Sequence, residues 1–172
     1  MTKVSRTRTA RPANVSTLER SIDLWGRPGF LIRRLHQISV AIFLEEMQDL
    51  SLTPVQFGAL TVIANRPGIE QSMIGEELGL DRVNVGDVVV RLIKNGLAIR
   101  EVSQRDRRFK EVFLTPEGMK LAAEGAKRLK RIQERLLGPL NESQRETFLE
   151  LVMLMITASN SLGRATLRLP ES

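Results

Sequence analysis

Residues 79–118 read GLDRVNVGDVVVRLIKNGLAIREVSQRDRRFKEVFLTPEG, and this stretch decides the fold. Asp81 is suited to cap a helix that runs from Arg82 to about Lys94, and Gly96 supplies the left-handed residue that ends it. Two strand-forming runs follow, LAIREV and EVFLT, separated by the charged segment SQRDRRFK. Such runs on either side of a polar turn predict a two-stranded hairpin. The stretch therefore predicts a helix followed by a charged β-hairpin.

Helix signals flank this stretch on both sides. An apolar stripe that begins at Leu31, with spacings typical of one helix face, predicts a helix over about 28–51. Thr53 and Gln56 form a capping box at the start of a helix over about 54–65. Further helices are predicted over about 71–78, 116–137 and 141–162. The expected fold class is therefore mainly α with a small β-hairpin.

The composition is that of a globular chain that lacks the residues of common catalytic sites. With 172 residues, 42% of them hydrophobic and 27% charged, the chain is long enough for one ordinary domain. It has no cysteine, and His36 is its one histidine, which excludes disulfides, thiolate chemistry and zinc sites built from histidine and cysteine. We therefore expect no enzyme, no metal site and no cofactor.

The chain also lacks the signals of membrane insertion or export. No apolar run reaches the roughly 18 residues that a membrane span needs. The N-terminal segment is basic but has no apolar core of the kind found in secretory signals. A cytoplasmic protein without a membrane partner is the expectation.

Positive charge is concentrated in two places. Residues 1–18 hold four basic residues and no acid, and residues 100–110 hold five basic residues against two acidic ones. The net charge of the whole chain is +6, so everything else is close to neutral. Local excess of this kind is typical of a surface that binds phosphate, although a solvated charged loop explains it equally well on composition alone.

The order of elements is that of a winged helix-turn-helix, and the hairpin makes the resemblance specific. The chain resembles MarR-family transcriptional regulators, whose wing signature is met by Arg100, Asp106, Arg108, Leu114 and Thr115. The resemblance implies a DNA-binding lobe over about 52–115 and dimerisation helices over about 28–51 and 116–165, within a single domain over 19–172. Residues 1–18, rich in serine, threonine, arginine and proline, are expected to form a flexible basic arm before it.

The same resemblance implies roles for the wing residues. In such proteins the arginine at the position of Arg108 enters the minor groove of DNA. The acid at the position of Asp106 is held by the strand arginine, here Arg100, and shapes the wing. A plain surface ion pair is the alternative for Arg100 and Asp106.

The helix from Arg82 to Lys94 is expected to read DNA bases. Arginine suits a guanine edge and asparagine an adenine edge in the major groove, which is wide enough for one helix. Asp81 and Asp87 would face a polyanion, so at least one of them is expected to cap the helix or to have an internal partner. The candidate DNA contacts are Arg82, Asn84, Asp87, Arg91, Arg105, Arg107 and Arg108, with phosphate contact and free solvation equally open for Arg91.

The family dimerises through its first and last helices, and both terminal regions of this chain carry apolar stripes. A two-fold dimer implies a pseudo-palindromic operator with half-sites about one helical turn apart. The alternative is that the two helices pack on each other within a monomer.

The segment RPGFLIRRLHQI, residues 27–38, is similar to a family branch that controls aromatic-acid catabolism. Its arginines could grip a carboxylate through two parallel hydrogen bonds. The ligand-binding candidates are Arg33, Arg34, His36, Trp25, Phe30 and Phe57. Salt bridges between subunits for Arg33 and Arg34, and a place in the dimer interface for His36, are the alternative.

The expected function is a sequence-specific, DNA-binding transcriptional regulator. We expect a homodimeric repressor that a small aromatic carboxylate, phenol or aromatic CoA thioester releases from its double-stranded DNA operator. The alternative is an architectural DNA-binding protein with the same fold and no sequence preference, which the ratio of operator to random-duplex affinity distinguishes.

Overall fold

The computed structural model describes residues 24–163 and 165–168, so the expected basic arm over residues 1–18 lies outside the described residues. Within them the chain forms six α-helices and three short strands. In chain order these are α1 (Pro28–Glu46), α2 (Pro54–Asn65), β1 (Ile69–Glu70), α3 (Gln71–Leu78), α4 (Arg82–Lys94), β2 (Ala98–Val102), β3 (Lys110–Leu114), α5 (Pro116–Leu137) and α6 (Glu142–Ser159). This mainly helical architecture with a small sheet confirms the predicted fold class.

Side-chain caps set the starts of four of these helices. At the start of α2, Thr53 Oγ1 accepts from the Gln56 N–H at 3.2 Å while Gln56 Oε1 accepts from the Thr53 N–H at 3.0 Å. Asn141 and Gln144 form the same reciprocal pair at α6. Asp81 caps α4 and Thr115 caps α5. These caps satisfy N–H groups that have no partner inside the helix, and those at Thr53 and Asp81 lie where the sequence predicted them.

Helix α1 is shorter than its apolar pattern predicts. It ends at Glu46, and the chain continues into a short 3-10 turn over Gln48–Leu50. Ser51 then takes a left-handed conformation with φ of 51°. The apolar stripe continues through the turn, because Met47 and Leu52 are buried although they lie outside the α-helix.

The sheet has three strands where the sequence predicted two. Strands β2 and β3 form the expected antiparallel hairpin, from Ala98 opposite Leu114 to Val102 opposite Lys110. Strand β1 adds to the other edge of β3, with Ile69 opposite Val112. The predicted hairpin is confirmed, and β1 was not predicted because two residues are too few to show a strand pattern.

The hydrophobic core joins the sheet to the helices around it. Most of its fully buried residues come from α2, α3, α4 and β3, among them Leu60, Ile63, Ile74, Val89, Leu92 and Val112, and Met47 adds to them from just after α1. Burial of this extent is the main stabilising contribution to the lobe. It fixes one face of α4 inward and leaves the other in solvent.

Helix α5 is fastened to the end of α1 by ion pairs. Arg135 Nη1 lies 2.6 Å from Glu46 Oε1, and Arg131 Nε lies 3.1 Å from the same oxygen. Arg128 donates to both carboxylate oxygens of Asp49, and this hydrogen bonding lowers the pKa of Asp49 below its ordinary value. The Glu46 side chain is only 9% exposed, so its two arginine partners compensate a carboxylate largely removed from water.

The chain forms two compact units, one ending at Ile38 and the other beginning at Ser39. Apolar side chains are exposed in both units. Helix α6 buries none of its residues, and six large apolar side chains on it are exposed: Leu149, Leu151, Met153, Leu154, Met155 and Ile156. In α1 the exposed ones include Leu31, Ile32, Leu35, Ile38 and Leu44.

No helix in the described part of the chain combines the length and apolar character needed to cross a membrane.

Candidate nucleic-acid interface

Helix α4 presents one face to solvent along its whole length. Val85, Val89 and Leu92 are buried, and they anchor the opposite face to the core. The four predicted base or phosphate contacts of this helix, Arg82, Asn84, Asp87 and Arg91, are all exposed. These four side chains are therefore on the solvent side of α4, where they can reach an incoming duplex. The buried valines on the other side hold the helix rigid.

The N-terminus of α4 is organised by Asp81. Its Oδ1 accepts the Asn84 N–H at 2.8 Å, and its Oδ2 accepts from Asn84 Nδ2, also at 2.8 Å. Asp81 is thus the helix cap, which confirms that one of the two acids of this region has a structural role. Asn84 donates one amide hydrogen to Asp81, and its Oδ1 can still accept a hydrogen bond from a base.

The wing tip, residues 103–109, is built around two short side chains. Ser103 is buried, donates to Glu111 Oε1 at 2.6 Å and accepts the Arg105 N–H at 3.2 Å. Asp106 Oδ1 accepts the Arg108 N–H at 3.0 Å, and Arg108 Nη2 donates to Asp106 Oδ2 at 2.6 Å. The hydrogen bonds from Arg108 lower the pKa of Asp106.

Arg108 is a highly exposed cation of the wing tip. Its side chain is 84% exposed although it is paired with Asp106, so the guanidinium group can reach a partner without unfolding the loop. Arg105 and Arg107 are exposed in the same tip, and among the described residues their side chains have no ion-pair partner. The tip therefore carries three arginines against one acid.

The expected pairing of Arg100 with Asp106 is wrong. Arg100 Nη1 donates to Gln71 Oε1 at 2.9 Å, and no ion pair in the described residues joins it to Asp106. The physical reason lies in the register: Arg100 is opposite Val112 in the body of the sheet, whereas Asp106 is in the tip and two residues from Arg108. Asp106 still shapes the wing, through Arg108, and Arg100 ties strand β2 to the start of α3.

A cleft of about 870 Å³ lies between the wing, α3 and the start of α4. Five cationic side chains line it: Arg82, Arg100, Arg108, Lys110 and Arg168. Two acids, Glu70 and Glu76, are also on its wall, so the lining is cationic on balance. A concave surface with this charge attracts a polyanion such as a nucleic-acid backbone.

The C-terminal segment, residues 165–168, forms one wall of the cleft. Asn160 holds it by donating from Nδ2 to the Leu167 carbonyl at 2.8 Å and accepting the Leu167 N–H at 2.9 Å. The Arg168 N–H then donates to the Glu76 carbonyl at 2.7 Å. Sequence reasoning missed this wall, because a segment without periodicity gives no signal of where it packs.

Five of the six predicted ligand-binding residues lie in the unit that ends at Ile38. Within it the Trp25 ring meets the Phe30 ring edge-on at 5.4 Å between centroids, and the Arg33 guanidinium lies 5.3 Å from the Phe30 centroid. Arg34 and His36 are exposed on the same helix. Arg33 therefore has an apolar ring beside it and remains accessible, as the hypothesis of a carboxylate grip requires.

Phe57, the sixth candidate, belongs to the other unit. It is 5% exposed, and its ring lies 5.9 Å from that of Phe43. A Cβ atom added to Gly125 would lie 2.3 Å from Phe57 Cε2, so the ring packs directly on the backbone of α5. These contacts are those of a core residue, and a part in ligand binding stays a prediction.

Metal-binding geometry is not found in the described ranges, 24–163 and 165–168, where no group of three or more histidine, cysteine, aspartate or glutamate side chains could hold an ion.

Comparison with known proteins finds similarity to transcriptional regulators. A family model described as the MarR family matches residues 50–108. The transcriptional regulator HosA of Escherichia coli O111:H- is 32% identical over 127 residues, which cover 74% of this chain and 93% of that protein.

Solved structures agree with this comparison. BpsR of Bordetella bronchiseptica, whose DNA binding is regulated by 6-hydroxynicotinic acid, is 29% identical with a TM-score of 0.71, over 75% of this chain and 92% of that one. The transcriptional repressor CouR, bound to a 23-mer DNA duplex, is 28% identical with a TM-score of 0.71, over 77% of this chain and 94% of that one.

Proposed function

The chain belongs to the MarR family of transcriptional regulators, and we propose that it is a homodimeric repressor. We propose further that it binds a pseudo-palindromic operator and leaves it when a small aromatic acid binds. The single observation that carries the DNA-binding part is the cationic cleft between the wing and the start of α4. The major groove is about 12 Å wide and admits one helix. With α4 in that groove, the exposed arginines of the wing are suited to the adjacent minor groove, whose negative potential attracts them.

The phosphate backbone between the two grooves would run along the cleft. Arg82 on α4 and Arg108 on the wing both line the cleft. Arg100 and Lys110 add charge from the strands. Contacts to phosphate fix the orientation of a protein on DNA, whereas the base edges are left to the exposed face of α4.

The dimer is supported by the apolar side chains that the single chain leaves in water. An 18-residue helix without one buried residue is unusual for a globular protein, because the hydrophobic face of a helix is normally packed against another element. Exposed side chains of this kind in α1 and α6 form patches of the sort that mark protein interfaces. A second copy of the chain provides matching helices under two-fold symmetry.

The effector hypothesis places an aromatic carboxylate on Arg33 and Arg34. The regulation of BpsR by 6-hydroxynicotinic acid, an aromatic acid, supports this class of ligand. In this chain Arg33 is accessible beside the Phe30 ring, which combines a cation for the carboxylate with a surface for the aromatic ring. Phenols and aromatic CoA thioesters are the other members of the proposed class, and inter-subunit salt bridges remain the competing role for the two arginines.

The experiment is a titration of the protein against the duplex upstream of its own gene, with a random duplex as control, at several salt concentrations. We expect a preference for the upstream duplex of roughly 10³-fold or more and a steep loss of affinity with salt. A panel of aromatic acids and their thioesters is then added to the complex, and one of them should release it.

Two other outcomes would contradict the proposal. Equal affinity for both duplexes would indicate an architectural DNA-binding protein with the same fold. Selective binding that no aromatic compound weakens would remove the effector part and leave the DNA-binding part in place.

A further inference from the structure

The centre of the exposed face of α4 has an unexpected composition. Asp87 lies four residues after Val83 and three before Val90, so the three side chains share one face of the helix. Val83 is 73% exposed and Val90 is 51% exposed. The face proposed to enter the major groove is therefore an acid flanked by two apolar side chains, with the cations Arg82 and Arg91 nearby on the same helix.

Asp87 has no internal role that would explain it. In the part of the chain that the structure describes, its carboxylate makes no hydrogen bond and no ion pair, in contrast to Asp81, which caps the helix. Arg91, four residues on, does not pair with it within 4.0 Å. An unpaired carboxylate that faces a polyanion is unfavourable unless the duplex offers it a hydrogen-bond donor.

The major groove offers few such donors. A carboxylate only accepts hydrogen bonds, and the base atoms that donate there are the amino groups of cytosine and adenine. The adenine amino group stands next to N7, an acceptor that repels the second carboxylate oxygen. The guanine O6 and N7 and the thymine O4 are acceptors and repel it as well. Cytosine N4 is the partner that an aspartate fits.

We propose that Asp87 selects a cytosine in each half-site by accepting a hydrogen bond from its N4 amino group, and that Val83 packs on the methyl group of a neighbouring thymine. The proposal rests on the DNA-binding function proposed above. Apolar side chains recognise thymine through its 5-methyl group, the one apolar group exposed in the major groove. The same carboxylate weakens binding to every site that lacks a cytosine there, so Asp87 contributes specificity at the expense of general affinity.

The test begins with the wild-type protein and a random-sequence duplex pool, which yields its operator and each position's base preference. Asp87→Asn and Asp87→Ala are then measured on the operator with all four base pairs at each position. We expect the wild type to prefer cytosine at one position per half-site by roughly 5- to 100-fold. Asp87→Ala should lose that preference alone and bind random duplex more tightly.

Asp87→Asn provides the sharper result. Asparagine pairs with the N6 and N7 atoms of adenine through two hydrogen bonds, so its preference at the same position should change from cytosine to adenine. For Val83, replacing thymine by deoxyuridine removes the methyl group alone. This change should weaken the wild-type complex at one position and leave the Val83→Ala complex unaffected.

The outcomes separate this inference from the function on which it rests. A wild-type protein that selects no sequence from the pool would overturn both. A selective wild-type protein whose Asp87 variants, folded as judged by circular dichroism, keep every base preference would overturn the role of Asp87 and leave the regulator intact. Arg107→Ala is the matched control, since loss of an exposed wing cation should weaken all sequences alike without changing any preference.

Discussion

Arg108 Nε donates to both carboxylate oxygens of Asp106, at 3.1 and 3.0 Å, so the wing arginine is held by an acid of its own loop. The Arg108 guanidinium also lies 5.9 Å from the Phe109 ring centroid. Two neighbours thus orient a side chain that is otherwise in solvent. An oriented cation loses less conformational freedom when it binds than a freely rotating one.

Replacing Arg108 by alanine should weaken operator binding without unfolding the protein. The side chain is highly exposed, so its removal leaves no cavity in the core. Loss of one cation per wing should lower the slope of log affinity against log salt concentration by about 0.9 for each wing. Fluorescence anisotropy at four salt concentrations measures this. Lys120→Ala, an exposed change on α5 away from the cleft lining, is the control and should leave the slope unchanged.

Acid should remove the contribution of the Asp49–Arg128 pair to stability. The pKa of Asp49 is lowered from its ordinary value of 3.8 by the hydrogen bond from Arg128. The contribution is therefore fully present above that value and is lost as the pH falls through the lower pKa of the folded state. Urea unfolding between pH 2.5 and 6 should show wild type more stable than Asp49→Asn at pH 6, with the difference shrinking as the pH falls.

The control for this pH series is Glu150→Gln, which removes an exposed carboxyl that has no ion-pair partner in the described residues. Its stability curve should run parallel to that of the wild type. A difference between wild type and Asp49→Asn that stays constant down to pH 2.5 would contradict the assignment to Asp49 ionisation.

Two glycines in helices should respond to alanine with opposite signs. A Cβ at Gly125 would meet Phe57 Cε2 at 2.3 Å, whereas one at Gly86 would meet only Gln71 Nε2, at 3.7 Å. Gly125→Ala should therefore lower the free energy of unfolding by about 1–3 kcal/mol, the usual cost of overpacking. Gly86→Ala should raise it by about 0.5–1 kcal/mol through helix propensity. Urea unfolding of both variants decides, and equal effects would show that the Phe57 ring can move aside.

Much of this fold could be predicted from interactions between residues that are close together in the sequence. The caps at Asp81, Thr115 and Asn141 involve residues three positions apart, so the starts of three helices could be predicted without knowing the tertiary structure. Strand β1 could not, since it is two residues long and its partner Val112 is 43 positions away from Ile69. The Arg100–Gln71 hydrogen bond, between residues 29 positions apart, was hidden for the same reason.

The sequence predicted the cationic side chains of the candidate interface but not its apolar side chain, Val83. Sequence reasoning selected the polar residues of α4, which are exposed as expected, but passed over Val83 because valine is usually a core residue. The signal was present: Val83 is out of phase with the buried Val85, Val89 and Leu92 of the same helix.

A charge on α6 should separate the proposed dimer. Leu154 is 65% exposed, so Leu154→Glu should not disturb the fold of the single chain but should place a carboxylate in an apolar interface. Sedimentation equilibrium at micromolar concentration should find the wild type dimeric and the variant monomeric, with operator affinity reduced accordingly. Glu146→Lys changes an exposed charge on the same helix and should remain dimeric. A wild type that sediments as a monomer would remove the dimer from the proposed function.

The effector hypothesis makes a prediction for Arg33 and Arg34. Each is exposed, and in the described residues neither has an ion-pair partner, so its replacement by alanine should preserve the fold and the operator affinity. The concentration of aromatic acid that releases half of the DNA should rise at least about tenfold, because a charge-assisted hydrogen bond to the carboxylate is lost. Arg27→Ala serves as the control on the same segment. If both variants respond like the wild type, these arginines do not bind the effector.

Strand β3 is paired along both edges, to β1 immediately before α3 and to β2 shortly after α4. The sheet consequently holds the base of the wing and helix α4 at a fixed separation. This fixed separation suits duplexes whose groove spacing already matches it. Other duplexes have to bend or twist to bind, at an energetic cost that depends on their sequence. Base pairs that the protein never touches, between the α4 and wing contacts, would then affect how well a site is bound.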